Sequence, residues 1–148
     1  MDDARRWRGA MRALGIEWRV GMVDVDGDVA RVDELGDMMM NGCPVEWEQN
    51  FRPLSADDSP DLHHPSNLGH LLEMVCEVYG CAEVWVSRDC EPFAGSDFED
   101  GEYIPTERVR WTAELCYDGD FVCPIGFGKS APLALLDALD RKAREATQ

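Results

Sequence analysis

The sequence predicts an α+β fold: a three-stranded antiparallel sheet with helices packed on one face, in the order α-β-β-β-α, preceded by an N-terminal α-β-β piece. Three observations predict it. Apolar residues recur at helical spacing in three separate stretches, around Trp7, around Leu71 and around Leu136. Ala82 to Ser87 and Val109 to Tyr117 alternate apolar and polar residues as half-buried strands do. Asp26-Gly27 and Asp118-Gly119 mark hairpin turns between runs of strand-forming residues. At 148 residues the chain can bury a core unaided, because domains of this size bury roughly two-thirds of their unfolded surface.

Taken in order, Ala4 to Leu14 reads as a short helix whose stripe is Trp7, Met11 and Leu14, stopped by Gly15. Trp18 to Val25 is rich in strand formers, and Val29 to Val32 returns after the Asp26-Gly27 turn. From Gly36 to Pro65 the pattern is irregular, with four prolines and the Met38-Met39-Met40 run; Val45 to Trp47 suits a short strand, and residues 55–66 read as a linker. Ser66 or Asn67 can cap a second helix carrying Leu68, Leu71, Leu72, Val75, Cys76 and Tyr79, with Gly80 as its stop. A strand follows at Ala82 to Ser87, then a long acidic loop at 89–107, then strands at Val109 to Tyr117 and Phe121 to Ile125. Ser130 caps a last helix with Pro132 in its first turn and Leu133, Leu136, Leu139 and Ala143 as its buried stripe. The expected organisation is an N-terminal helix-and-hairpin lobe at 1–58 and an α-β-β-β-α domain at 59–148. The N-terminal strands either extend the sheet or form a small lobe of their own.

Charge is the outstanding compositional feature. Thirty acids against 14 bases leave a formal net charge of −16. Residues 1–19 carry five Arg and three acids, residues 20–107 carry Arg31, Arg52 and Arg88 against 21 acids, and residues 108–148 balance six against six. The middle segment, at −18, therefore holds the whole excess. Such a surface argues against binding nucleic acid or an anionic membrane directly, since both require cationic faces. No apolar run approaches the roughly 18 residues of a membrane helix, and Met1-Asp2-Asp3-Ala4-Arg5-Arg6 has no apolar stretch behind it of the secretory kind. The expected location is the cytoplasm of a host cell. There the six cysteines, at 43, 76, 81, 90, 116 and 123, would be reduced, several of them buried.

Motifs that suggest catalysis or metal binding each have a simpler account. Gly128-Lys129-Ser130 ends like a phosphate-binding loop, but Cys123 stands where the first Gly belongs; a strand-to-helix turn explains it. Asp24-Val25-Asp26-Gly27-Asp28 lacks the Glu and the Gly position of a calcium loop, and reads as a hairpin turn. His63, His64, His70, Cys76 and Cys81 share a stretch, yet His70 and Cys76 fall on different sides of a helix, which disfavours zinc. Cys90 lies between Asp89 and Glu91, whose charges would raise its pKa and oppose a thiolate nucleophile. The basic leading helix (Arg5, Arg6, Arg8, Arg12) suits a solvated face paired with the chain's own acids. No catalytic residue, metal site or cofactor is assigned.

Two segments carry a resemblance. Pro60-Asp61-Leu62-x-x-Pro65-x-x-Leu68-Gly69-x-Leu71-Leu72-x-x-Val75 is similar to a stretch in small bacteriophage and prophage proteins. Trp111 to Tyr117, Asp118-Gly119 and Gly126-Phe127-Gly128-Lys129-Ser130-Ala131-Pro132, with Ala134-Leu135 and Ala138-Leu139, resemble the small α-β-β-β-α domains of phage α/β-sandwich proteins and HicB-type antitoxins. The resemblance covers about half the chain and rests on fold-making residues, so it implies a fold and transfers no catalytic residue. The acidic loop at 89–107 departs from those compact domains.

The reading that follows is a non-enzymatic, phage-type protein-binding protein. Its acids would imitate the phosphate row of nucleic acid and occupy the cationic groove of a host nucleic-acid-binding protein or nuclease, inhibiting a defence enzyme. The expected partner-binding residues are Asp57, Asp58, Asp61, Asp89, Glu91, Asp97, Glu99, Asp100, Glu102 and Glu107. No direct nucleic-acid or membrane contact is expected, and homodimerisation is left open. The alternatives are an antitoxin-like or structural interaction domain that binds through a sheet edge or through Trp47, Trp85, Phe93, Phe98 and Tyr103, and a small metal-assisted hydrolase. Double-stranded-RNA binding, which some α-β-β-β-α domains perform, is excluded because the last helix lacks a basic face.

Overall fold

A computed structural model describes residues 2–42, 51–81, 83–90, 98–99, 102–103, 109–117 and 121–147. Helix α1 spans Asp3–Leu14, with the Asp2 carboxylate accepting from the Ala4 N–H and Gly15 closing it at φ 68°. Helix α2 spans Leu68–Tyr79 and ends on Gly80 at φ 64°. Helix α3 spans Ala131–Ala146; the Ser130 hydroxyl accepts from the Leu133 N–H.

Two three-stranded antiparallel sheets accompany the helices, so the fold is α+β as expected. The first joins β1 (Val29–Val32), β2 (Met38–Asn41) and β3 (Phe51–Pro53). The second joins β4 (Val84–Cys90), β7 (Val109–Tyr117) and β8 (Phe121–Gly128) in the order β4-β7-β8. Between β4 and β7, β5 (Phe98–Glu99) pairs with β6 (Glu102–Tyr103) as a small hairpin inside the stretch expected to be a loop. The N-terminal strands thus build their own sheet instead of extending the second one.

The second sheet turns one face to the helices. Val84, Val86, Ala113 and Leu115 occupy cross-strand positions that pack on the core. Gly126 and Gly128 extend that face along β8, and both are required there. A Cβ at Gly126 would run into the Ala134 carbonyl oxygen, and one at Gly128 would sit 2.6 Å from the Ala134 nitrogen. Helix α3 lies in the middle of the molecule, against β4, β7 and β8 and against α1 and α2. That position explains why Ala134, Leu135, Leu136, Ala138, Leu139 and Ala143 are all buried, a wider band than a single stripe. Trp7 and Met11 from α1, Met22, Ala30 and Met40 from the first sheet's region, and Leu71, Met74 and Val75 from α2 join the same core. Burying each large side chain contributes about 2 kcal/mol.

The structure corrects three local expectations. The Met38-Met39-Met40 run is strand β2, paired on both sides, where irregular chain was expected. Trp18 to Val25 is not a strand; Val23 and Asp24 make only isolated bridges, to Val29 and Pro60. Asn67 explains why. Its side chain accepts from the Val23 N–H at 2.9 Å and donates to the Val23 carbonyl at 2.7 Å and the Asp61 carbonyl at 2.8 Å, so it braces the chain instead of capping α2. Finally, residues 55–66 are not a slack linker: Pro60 and Leu62 are buried. Val45 to Trp47 lies outside the described residues.

Candidate functional site

The same local motif occurs at both ends of β1. Asp24-x-x-Gly27-Asp28 precedes the strand and Asp33-x-x-Gly36-Asp37 follows it. In each, the first Asp Oδ1 accepts two backbone N–H bonds, at i+2 and i+4, over 2.8–2.9 Å. Each also donates its own N–H to the carbonyl at i+4 and accepts at its carbonyl from the Gly N–H. The Gly residues sit at φ 89° and 85°, where only Gly is unstrained.

Around the first turn the structure assembles a cluster that sequence reasoning did not select. The Arg52 guanidinium on β3 reaches Asp24 Oδ2 at 3.1 Å, Asp28 Oδ2 at 2.9 Å and Asp58 Oδ1 at 2.9 Å through one Nη, with the other Nη on Asp58 Oδ2 at 2.9 Å. Asp24 is 2% exposed, and burial raises its pKa despite the N–H bonds it accepts. Burial also pulls Asp58 upward, but bonds from Arg52 and the Ser55 N–H outweigh it and leave the carboxyl below its ordinary value. Its bonds to Asp58, and then to Asp28, raise the pKa of Arg52 against the effect of burial. The repeated Asp-x-x-Gly-Asp pattern was the available sequence signal; nothing local marks Arg52.

The expected partner-binding acids divide into three groups. Asp57 is exposed, Asp58 is taken up by Arg52, and Asp61 is half-buried, accepting from the His63 N–H at 3.1 Å. Asp89 stands opposite Arg110 in the β4–β7 register, and Glu99 stands opposite Glu102 at the end of the β5–β6 hairpin. Glu91, Asp97, Asp100 and Glu107 lie outside the described residues. The structure therefore brings Glu99 together with Glu102, and Asp58 together with Asp24 and Asp28. Further exposed acids at the two turns, Asp26, Glu34 and Asp37, enter no ion pair among the described residues.

The basic leading helix is partly neutralised from within. Arg6 bonds Asp140 at 2.6 Å and lies 3.6 Å from Asp3, and Arg12 donates to the Ala56 carbonyl. Arg19, just beyond the helix, pairs with Glu73 and Glu77 of α2. The histidines are dispersed: His63 faces Asp3, and the His64 Nδ1 accepts from the Ser66 N–H. Cys116 is buried, whereas Cys76, Cys81 and Cys123 are partly exposed thiols. Among the described residues no group of three or more His, Cys, Asp or Glu is arranged to hold a metal ion. Gly128-Lys129-Ser130 is the packed strand-to-helix turn described above, its Gly set by the approach of α3. No helix among the described residues is long and apolar enough to cross a membrane.

No protein-family model matches the chain, and no curated protein or solved structure matches it.

Proposed function

We propose that the chain is an acidic protein-binding protein that fills the cationic groove of a nucleic-acid-handling enzyme, its carboxylates standing in for phosphates. The observation that carries this reading is the −18 excess confined to residues 20–107. Two features add support. Asp26, Glu34, Asp37 and Asp57 are exposed on loops around the first sheet, and the β5–β6 hairpin sets Glu99 directly opposite Glu102. With the phage resemblance, the target is a host defence enzyme and the outcome is inhibition.

A second reading, an antitoxin-like or structural interaction domain, is favoured by Trp85. It lies on edge strand β4 and is 46% exposed, as a sheet-edge docking residue would be. One experiment separates the two. The tagged chain is used to capture proteins from its native host at low and at high salt, and the captured proteins are identified. Charge mimicry predicts nucleic-acid-binding proteins held at low salt and released at high salt. Retention that survives salt and fails for Trp85→Ala would favour the edge-docking domain.

A further inference from the structure

Arg8 is half-buried and has no carboxylate in bonding range among the described residues, so it points the other way from the acidic surface. Arg8 and Arg12 lie one turn apart on α1. With Gly15, Ile16, Glu17, Trp18, Met38 and Leu54 they line a cavity of about 460 Å³ where the end of α1 meets the first sheet. Small-molecule sites span roughly 300–1,000 Å³. Its floor is apolar: Ile16, Met38 and Leu54 pack against the core, and Trp18 is 4% exposed.

Two donors here lack acceptors. The Trp18 indole N–H and the Arg8 Nε are both closed off from solvent, and neither has a hydrogen-bond partner among the described residues. The Arg8 guanidinium carbon stands 6.0 Å from the Trp18 ring centroid, and Arg8 forms no salt bridge among the described residues. Desolvation, then the Arg12 charge, lowers the Arg8 pKa, and the Asp58 charge opposes this only in part. In a chain with a net charge of −16, a partly buried cation left without a salt bridge is anomalous. An anion at the cavity supplies what it lacks.

We propose that this cavity binds a small amphipathic monocarboxylate, its carboxylate on the Arg8 guanidinium and its apolar body on Trp18, Ile16, Met38 and Leu54. A single charge fits better than a phosphate, because Glu17 at the cavity wall repels a dianion. A planar carboxylate also matches the fork of a guanidinium. The site is independent of the acidic surface and of any protein partner.

The test uses the full chain and a panel of aromatic and aliphatic monocarboxylates, 3-phenylpropionate among them, each set against its neutral amide. Affinity is read by calorimetry, and the Trp18 indole N–H resonance by NMR. The expected result is saturable binding by at least one acid, about tenfold weaker binding of its amide, and a shifted Trp18 resonance. Arg8→Gln should weaken that acid to the level of the amide, while Arg5→Gln should leave it unchanged. No saturable acid in the panel, or acid and amide binding alike, would overturn the proposal. The acid–amide comparison is made on the unaltered chain, so a folding defect in a variant cannot blur it.

Discussion

The turns at the two ends of β1 have the same motif, the same hydrogen bonds and the same positive φ at Gly, yet different surroundings. At the first, Asp24 is buried and its second oxygen meets Arg52; at the second, the Asp33 side chain accepts only the two exposed backbone bonds among the described residues. The comparison separates what a turn contributes by itself from what the fold adds to it. Locally, an Asp at the first position and a Gly at the fourth suffice to close either loop. The tertiary addition at the first turn is one cation placed among three carboxylates.

The largest expected effect is on the buried copy. Asp24→Ala strands the Asp26 and Asp28 N–H groups and should cost about 3 kcal/mol in urea unfolding. Arg52→Met leaves three carboxylates without their cation and should cost about 2 kcal/mol, held down because that side chain is 38% exposed. A loss larger than that of Asp24→Ala would mean the charge cluster, not the turn, dominates.

Asp58 sharpens the comparison through pH. Its folded-state pKa lies below the unfolded value near 3.9. Its stabilisation is therefore complete above that unfolded value and is lost as pH falls through the lower folded one. Asp58→Asn should flatten the loss of stability below about pH 4, read from urea midpoints across an acid series. Asp24 has the opposite sign: its raised pKa favours the fold while it is protonated, a contribution lost as pH rises through the folded value.

Gly27→Ala and Gly36→Ala should cost about 1 kcal/mol each, and nearly the same amount, because a Cβ meets nothing within 4 Å at either site and only backbone strain differs from Gly. Unequal losses would show that the turns differ in backbone as well as in surroundings. The smallest effect belongs to Asp33→Ala, at about 0.5 kcal/mol, since water can replace the exposed acceptor.

What the sequence makes legible follows the range of the interactions involved. Gly15, Gly80 and Ser130 are read correctly because caps act within a few residues. Strand Met38–Asn41 is missed because methionine carries no strand signature and its pairing comes from β1 and β3. Trp18 to Val25 is overread because its alternation is genuine, while the group that satisfies Val23 is the side chain of Asn67, 44 residues away. The Arg52 cluster is invisible for the same reason: Asp24 and Asp28 are 28 and 24 residues distant. The donors at Arg8 and Trp18 are missed because an Arg-rich helix reads as a solvated face, and only packing shows which guanidinium is desolvated.

The functional account turns on whether the acidic surface takes the place of nucleic acid. The direct measurement is competition: a partner recovered at low salt is titrated with the chain in the presence of increasing duplex DNA or RNA, at several ionic strengths. The account predicts mutually exclusive binding and an affinity that falls steadily as salt rises. A ternary complex of chain, partner and nucleic acid, or an affinity indifferent to salt, would contradict it.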